Sequence, residues 1–442
     1  MRRWGTKRRA KRRCAGAGRP AGIALRCAAA AGAALLGTAV ARPASAAEAP
    51  GSYAFADGAR TVRGAAGSSD APVIEAGAVY RDAVEADGKL FYRVELDARS
   101  NAYVSAVAVP PADGRVTYED RLKVTLQDRD GRDCGHDDAP IGSAAYPRPL
   151  ATSAGRTVEA GGSTCQEAGP YYLVVERATG KGSSREPWQL ELRPVLEPGP
   201  RDAGPTAAPS VWPSASPPPP GGLRDRTGGG GFADAPGLTQ GEWKDRIEPG
   251  RSRFYRVPVD WGQQLFADAE LGSSAGTGGG SVGSALAVDL YNPALGLVTS
   301  GNGVSYDGRQ KSVALDALPP VAYENRFSSD STVRAVRFAG WYYLRVTLSP
   351  EVGGSFGRKP YGLSLRVTVR GTPKPFAYDG FPGIFAVTAG DREDAAAGRS
   401  VPGAAARSAT LRTVAVAGIG TGTALVLGLG AWALSARRTA AR

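Results

Sequence analysis

The chain has 442 residues, of which 42% are hydrophobic and 22% charged, and its formal net charge is +12 at pH 7. Residues 1–46 hold eleven Lys and Arg and no acidic residue, and four more arginines flank an apolar run near the C-terminus. Without these fifteen cations, residues 47–411 carry a formal charge of −3. The positive charge therefore serves targeting and membrane orientation, and it argues against a nucleic-acid partner.

The N-terminus has the layout of a secretory signal peptide. A basic stretch that ends at Arg13 precedes an apolar run at residues 27–41, and the small residues at 44–46 suit cleavage. We predict cleavage after Ala46, with an uncleaved signal anchor as the alternative. Residues 47–70 then form an N-terminal extension.

Two stretches of the mature chain repeat one another. Residues 80–85 match residues 243–248, and residues 91–97 match residues 254–260, all at an offset of 163. Three further pairs of blocks follow in the same order, and they are 122–126 with 286–290, 169–175 with 340–346, and 187–193 with 360–366. Five collinear blocks indicate a tandem duplication.

Each block alternates apolar and polar residues with a period of two. Tyr92, Val94 and Leu96 are predicted to point inward, and the charged residues between them outward. Asp-Gly and Pro-Gly turns separate many of the blocks. The chain is therefore predicted to be all-β, with two tandem antiparallel β-sandwiches of jelly-roll or immunoglobulin-like type at residues 71–196 and 238–371.

Two segments outside the repeats are predicted to lack a core of their own. Residues 197–237 are rich in Pro and Gly, a composition typical of a linker that is partly stiff and partly flexible. Residues 372–413 become rich in Ala, Gly and Arg toward their end, which indicates a juxtamembrane stalk.

The C-terminal region carries a predicted membrane anchor. Residues 414–436 contain no charged side chain, and at ~1.5 Å per residue a helix of this length crosses the ~30 Å hydrocarbon layer. Arg437, Arg438 and Arg442 follow and satisfy the positive-inside rule. We predict a single-pass type I protein of the cell membrane, with its ectodomain outside and residues 437–442 as a cytoplasmic tail.

One spacing inside this span permits helix packing. Gly418 and Gly422 form a Gly-x-x-x-Gly pattern that lets two helices approach closely. A helix partner is one interpretation. The general abundance of glycine in membrane spans is the other.

The order of motifs in the two repeats resembles a known family. Phe-Tyr-Arg-Val, then Leu-x-Val-x-Leu, then Gly-x-Tyr-Tyr-Leu-x-Val, then a closing Pro-aromatic-x-Leu-x-Leu strand is similar to the bacterial pre-peptidase C-terminal domain, over about residues 71–195 and 238–370. The resemblance implies a β-sandwich that is a non-catalytic accessory or binding module, and some collagen-binding relatives use calcium. This chain departs from the usual setting because no protease domain accompanies the modules.

Two cysteines remain after removal of the signal peptide, Cys134 and Cys165. An even pair in an exported domain predicts one disulfide, with two free thiols as the alternative. His136, close to Cys134, is the only histidine in the sequence, and a zinc site there would lack a convincing set of four ligands.

Acidic residues cluster beside Cys134. Asp128, Asp130 and Asp133 offer oxygen ligands on a tight loop, which is what calcium prefers. The spacing lacks the rest of an EF-hand pattern, so a solvated Asp-Gly hairpin turn is the alternative. No other cofactor is predicted.

Two tyrosines at matched repeat positions are candidates for a binding face. Tyr172 and Tyr343 each follow a tyrosine predicted to face the core, so alternation places both of them outward. An exposed aromatic pair can contact a glycan or a peptide.

These observations favour a protein that binds rather than catalyses. Gly-x-Ser-x-Gly occurs three times, but each match lies in a Gly/Ser-rich loop with no following helix and no histidine in the same repeat. We therefore expect a non-enzymatic binding, adhesion or envelope-complex protein that meets an extracellular protein or a cell-wall glycan. The alternative is an accessory subunit that positions a separate exported enzyme or a secretion component.

Overall fold

The computed structural model describes residues 53–159, 161–202, 204–218, 221–274 and 279–402. The signal peptide, the run at 414–436 and its glycines Gly418 and Gly422 lie outside these ranges, so those predictions stay predictions. Among the helices that are described, none has the length and apolarity needed to cross a bilayer.

Nine strands are described in the first repeat. They are β1 (Arg60–Thr61), β2 (Tyr80–Val84), β3 (Lys89–Leu96), β4 (Asn101–Val109), β5 (Arg121–Gln127), β6 (Asp133–Pro140), β7 (Leu150–Arg156), β8 (Gly169–Ala178) and β9 (Trp188–Glu197). They form a five-stranded sheet in the order β1-β2-β9-β4-β7 and a four-stranded sheet in the order β3-β8-β5-β6.

The second repeat has nine described strands as well. They are β10 (Arg224–Asp225), β11 (Gly241–Ile247), β12 (Ser252–Val259), β13 (Gln264–Leu271), β14 (Val282–Tyr291), β15 (Leu297–Tyr306), β16 (Lys311–Ala314), β17 (Gly340–Leu348) and β18 (Tyr361–Arg370). Their sheets run β10-β11-β18-β13-β16 and β12-β17-β14-β15. The helices are short: α1 (Ser331–Ala335), α2 (Glu351–Phe356) and α3 (Ala389–Ala397).

The two repeats have the same topology, strand for strand. If the nine strands of each repeat are lettered A to I in chain order, strand A is the added edge strand β1 or β10. The other eight strands form one sheet in the order B-I-D-G and a second in the order C-H-E-F, and this order defines a jelly roll. Neighbouring strands are antiparallel apart from β1 with β2 and β10 with β11, which are parallel. The all-β prediction is confirmed, and the duplication seen in sequence extends to the sheet order.

Alternation places the core between the two sheets of each sandwich. Tyr92, Val94 and Leu96 are buried as predicted, and the charged residues between them face outward. The Tyr171 hydroxyl closes the corner before β8 by donating to the Glu167 carbonyl, at 2.8 Å. Tyrosine hydroxyls bonded back to the chain four residues earlier recur in the second repeat, where Tyr342 donates to Phe338 at 2.8 Å.

The repeats begin earlier than residues 71 and 238, the starts predicted from sequence. In the first, the Gly64 amide and the Tyr92 hydroxyl both donate to one oxygen of Asp82, each at 2.7 Å. The counterparts in the second repeat are Gly228, Tyr255 and Asp245, at 2.8 and 2.6 Å. The edge strands β1 and β10 therefore belong to the sandwiches, although two residues are too few to show alternation in sequence.

Candidate functional site

The two sandwiches share a buried interface. Along β4, Val104 and Ala106 face the core of the first repeat, whereas Tyr103, Ser105 and Val107 point away from it and are buried as well. Tyr103 packs in the core cluster of the second repeat, and Val107 packs with aromatic residues from β12, β14 and β17. The outer face of the first five-stranded sheet thus covers the outer face of the second four-stranded sheet.

A segment predicted as linker fills the centre of this interface. Phe232 is fully buried, and its ring centroid lies 4.9, 5.1 and 5.5 Å from those of Phe254, Tyr291 and Tyr343. A Cβ added at the neighbouring Gly231 would lie 2.1 Å from a backbone oxygen of the N-terminal segment, so glycine is needed for this close approach. The linker prediction is wrong for residues 228–237, because they are core.

A segment predicted as stalk is also packed. The Phe376 ring lies 4.3 Å from the Trp261 ring and 5.1 Å from the Tyr323 ring, between centroids. The Trp341 indole N–H donates to Asp391 in α3 at 2.8 Å, which attaches this helix to β17. The stalk prediction is therefore wrong for residues 372–402. The aromatic residues of this segment are visible in the sequence and could have indicated that it packs against a core.

One buried carboxylate joins all these parts. Glu197, at the end of β9, is fully buried and accepts hydrogen bonds from the Asn101 amide at 2.8 Å and the Tyr103 hydroxyl at 3.0 Å. From the second repeat, Arg326 lies 3.2 Å away, and the Tyr378 hydroxyl donates at 3.0 Å. Burial and Glu197 raise the pKa of Tyr378, so the hydroxyl keeps the proton that it donates. Glu197 therefore fastens the first repeat to the second and to the C-terminal segment.

A second buried ion pair lies at the interface. Asp289 and Arg345 of the second repeat are 2.7 Å apart, and Arg345 also donates to the Pro149 carbonyl of the first repeat. Burial alone would raise the pKa of Asp289, but Arg345 and the Ser300 hydroxyl hold it below its ordinary value. The charge of Asp289 is thus retained inside the protein, where it orients Arg345 toward its neighbour.

Where the interface opens to solvent it leaves a cleft of about 940 Å³. Its walls come from the first repeat around β2, β4 and β9, from the turn before β12, and from the segments at 53–55 and 230–234. Five prolines make much of the wall, and they are Pro110, Pro111, Pro147, Pro149 and Pro187. This volume is at the upper end of the range for ligand-binding clefts.

Arginines dominate the polar lining of the cleft. Arg81, Arg148, Arg251 and Arg253 are all half-buried there. The Arg81 guanidinium lies 4.0 Å from the centroid of the Phe55 ring, a cation–π contact. Burial lowers the pKa of Arg148, and the neighbouring Arg345 lowers it further.

Two carboxylates also line the cleft. Asp234 accepts the backbone amides of Gly230 and Gly231, at 2.9 and 2.7 Å, so its charge is directed at its own loop. Glu248 is exposed. Four guanidinium groups and two carboxylates therefore line the cleft, and Arg253 also lies 3.9 Å from the buried Asp245 carboxylate behind the wall.

The predicted binding face of Tyr172 and Tyr343 is not formed. Tyr172 is half-exposed on the free four-stranded sheet of the first repeat, but Tyr343 is only 5% exposed. The outward direction predicted for Tyr343 is correct relative to its own sandwich. That outer face is covered by the first repeat, so Tyr343 is an interface residue and cannot serve as a surface contact.

The disulfide prediction is confirmed: Cys134 in β6 is bonded to Cys165 across a sequence separation of 31 residues. The nearby acidic loop is a hairpin turn between β5 and β6. Asp128 accepts the amides of Asp130 and Arg132, both at 2.9 Å, and Asp133 lies 2.7 Å from the exposed His136 ring. Among the described residues no group of three or more His, Cys, Asp or Glu side chains is arranged to hold a metal ion.

The cleft arginines follow no motif, because Arg81, Arg148 and the neighbouring pair Arg251 and Arg253 are far apart in the chain and come together only when the repeats dock. One sequence signal could have indicated the interface. In β4 both alternating faces are nearly free of charge, which is typical of a strand covered on both sides.

No family model and no curated protein matches this chain. Solved structures show slight similarity. The tandem CBM22 domain of Paenibacillus barcinonensis Xyn10C is 10% identical with a TM-score of 0.17, over 67% of this chain and 92% of that one. The ANX2 ectodomain of Arabidopsis thaliana is 8% identical with a TM-score of 0.20, over 67% and 86%. A Parabacteroides distasonis protein described as secreted is 8% identical with a TM-score of 0.17, over 67% and 89%.

These scores carry no argument about function. The class of protein is therefore defined by its own sheets: a tandem jelly-roll protein whose two sandwiches are joined through a buried interface with an arginine-lined cleft. The resemblance to the pre-peptidase C-terminal domain stays a prediction.

Proposed function

We propose that the protein is a membrane-anchored, non-enzymatic binding protein of the cell surface, and that the cleft between its jelly rolls is the ligand site. The observation that carries the proposal is the placement of the cleft. It forms where the two repeats meet, and both repeats contribute side chains, as with Arg81 from one and Arg253 from the other.

The buried interface supports this role because it holds the cleft walls in place. Glu197 and Arg345 each bridge the repeats, so the cleft is preformed. A preformed cleft loses little conformational entropy when a ligand enters, which favours binding.

The polar groups of the cleft agree with the binding role that we propose. Among the described residues that line it there is no histidine, and the one cysteine pair forms the disulfide elsewhere in the first repeat. Asp234 is bonded to its own backbone, and Glu248 is exposed at the edge. This set lacks a base placed beside a nucleophile.

The experiment fills the cleft with a bulky side chain. Gln189 is exposed on β9 and lines the cleft, so Gln189→Trp is expected to obstruct it without disturbing a core. The full-length chain, purified with detergent throughout, is immobilised and exposed to envelope fragments and exported proteins of its own cells. We expect Gln189→Trp to lose the material that the wild type retains.

The matched control is Gln310→Trp, because Gln310 is also exposed but lies in the turn before β16. This variant should retain the same material as the wild type. Equal retention by the wild type and by Gln189→Trp would show that the cleft is not the binding site. Retained material that is a single exported enzyme would favour the accessory role over adhesion.

A further inference from the structure

Four hydroxyl side chains lie close together in the linker, within residues 204–218. They are Thr206, Ser210, Ser214 and Ser216, and we call them the linker hydroxyls. All four residues are exposed, and within the described part of the chain none of the four hydroxyl groups forms a hydrogen bond. Hydroxyl groups of the sandwiches such as those of Ser100, Thr152 and Ser300 instead donate to carboxylates. The linker hydroxyls are therefore accessible to an enzyme from solvent.

Prolines hold the backbone around the linker hydroxyls extended. A proline recurs at every fourth position, at Pro205, Pro209, Pro213 and Pro217. Each proline fixes its own φ and moves the preceding residue toward an extended conformation, and residues 204–218 form no helix or strand. At ~3.1 Å per residue in a polyproline-type chain, residues four positions apart are separated by about 12 Å. This spacing leaves room for a substituent on each of Thr206, Ser210 and Ser214.

The segment is attached to the second repeat through groups other than its hydroxyls. The Trp212 indole N–H donates to the Ala317 carbonyl at 3.2 Å, and the Gln264 amide donates to the Pro213 carbonyl at 2.7 Å. Beside Ser210, the Val211 side chain is 86% exposed and so leaves apolar surface in water. A bulky, hydrated substituent on Ser210 would cover part of that surface without disturbing the attachment.

The composition of the segment favours a neutral substituent over a charged one. Residues 204–218 contain no charged side chain, so a phosphate group would find no cation of the segment to pair with. Serine and threonine among prolines are typical of stalks that carry O-linked sugars. We propose that the linker hydroxyls are acceptors for O-glycosylation. This inference goes beyond the proposed function and does not depend on the cleft.

The modification is a glycosyl transfer in which this chain is the acceptor substrate. The donor is an activated sugar, joined through its anomeric carbon to a phosphate group of a nucleotide or a lipid. The serine or threonine oxygen attacks the anomeric carbon, and the bond from that carbon to the phosphate oxygen breaks. The phosphate group leaves with the electron pair, and a base of the transferase accepts the hydroxyl proton.

Mass spectrometry of tryptic fragments tests the proposal on the full-length chain, purified in detergent from its own cells. Trypsin should release residues 202–224 as one fragment, because Arg201 precedes it, Arg224 ends it and no other Lys or Arg lies within it. The linker hydroxyls are the only Ser and Thr residues of this fragment. We expect it to be heavier than the synthetic peptide 202–224 by the mass of one or more whole sugar residues.

The matched control is the tryptic fragment 327–334, which also has four Ser and Thr residues but no proline. Helix α1 begins within it, and Ser329 and Ser331 are exposed. This fragment should have the mass of the unmodified peptide. Alanine at all four linker hydroxyls should remove the added mass from the whole chain, whereas Ser329→Ala/Ser331→Ala should retain it. Thermal melting verifies that both variants are folded.

Three results would overturn the inference. The first is a fragment 202–224 with the mass of the bare peptide, and the second is an added mass that corresponds to phosphate. The third is equal sugar on fragment 327–334, because exposure alone would then determine the modification. Retention of envelope material by Gln189→Trp is measured separately, so failure of the sugar proposal and failure of the proposed function are distinguishable.

Discussion

Removal of Glu197 should separate the two repeats. Its carboxylate accepts four donors, two from the first repeat, one from Arg326 in the second and one from Tyr378 in the C-terminal segment. Glu197→Ala leaves the Arg326 guanidinium, whose side chain is 6% exposed, without its carboxylate inside the protein. It also leaves two tyrosine hydroxyls and an amide without their acceptor.

The cost follows from these contacts. Breaking a buried ion pair by removing one partner costs about 3–5 kcal/mol. The orphaned hydroxyls and amide each add about 1 kcal/mol or more, but such terms add incompletely because they share one acceptor. We expect a loss of about 5 kcal/mol in the free energy of unfolding. At about 2 °C per kcal/mol for a body of this size, the melting temperature should fall by about 10 °C.

Differential scanning calorimetry measures the effect. The wild type should unfold in one transition, because the repeats share a core, and Glu197→Ala should broaden or divide it. Glu176→Ala is the control, since Glu176 pairs with Lys89 at 3.1 Å on the solvent side, where both side chains are at least 33% exposed. That pair should be worth less than about 1 kcal/mol.

A second variant tests the physical cause. Arg326→Met removes the buried positive charge that Glu197→Ala leaves without a partner. The double variant Glu197→Ala/Arg326→Met should therefore have a higher melting temperature than Glu197→Ala alone. If Glu197→Ala melts within the range of Glu176→Ala, the carboxylate does not hold the repeats together and the reasoning is refuted.

Three further predictions concern the same interface and the acidic loop. Gly231→Ala should cost about 1–3 kcal/mol in the free energy of unfolding, because the added Cβ would lie 2.1 Å from a backbone oxygen. The control is Gly67→Ala at the matching position of the first repeat, where an added Cβ has nothing within 4 Å. Equal melting temperatures of the two variants would contradict the packing. Burial raises the pKa of Glu191 above its ordinary 4.5, so the folded state favours the protonated carboxyl group and loses stability as pH rises through the raised pKa. Glu191→Gln should therefore melt higher than the wild type at pH 7 and at the same temperature below about pH 4. A lower melting temperature of the variant at pH 7 would show that the ion pair with Arg193 outweighs the cost of burial. A chelator should leave the melting temperature unchanged, because Asp128 is already bonded to its own loop; a fall on chelation, reversed by calcium, would show a bound ion.

Period-two alternation determined the strands and which faces of them meet inside each sandwich. Tyr92, Val94 and Leu96 are buried because a pleated strand has only two faces and a sandwich buries one of them. Repetition of the same blocks likewise indicated two sandwiches of one topology. The disulfide followed from the count of cysteines in an exported chain, and Cys134 and Cys165 are paired.

Composition was a poor guide to the segments between the sandwiches. Residues 228–237 contain the glycines of a linker, yet the same glycines let the chain approach other backbone closely enough to insert Phe232. The segment at 372–402 is interrupted by Pro and Gly, but Phe376, Tyr378 and Phe385 pack on the second repeat. Burial depends on the partner surface as well as on the segment, and the partner is distant in the chain.

Only the tertiary structure decided which outer faces are covered and where the cleft forms. Tyr172 and Tyr343 occupy matched positions, but one is half-exposed and the other buried, because docking covers one four-stranded sheet and leaves its copy free. The cleft arginines come together through the same docking. Local periodicity indicates which side of a strand faces its own core. Contact between two folded sandwiches depends instead on the shape and charge of whole surfaces, and residues far apart in the chain form those surfaces, so no local sequence pattern predicts the contact.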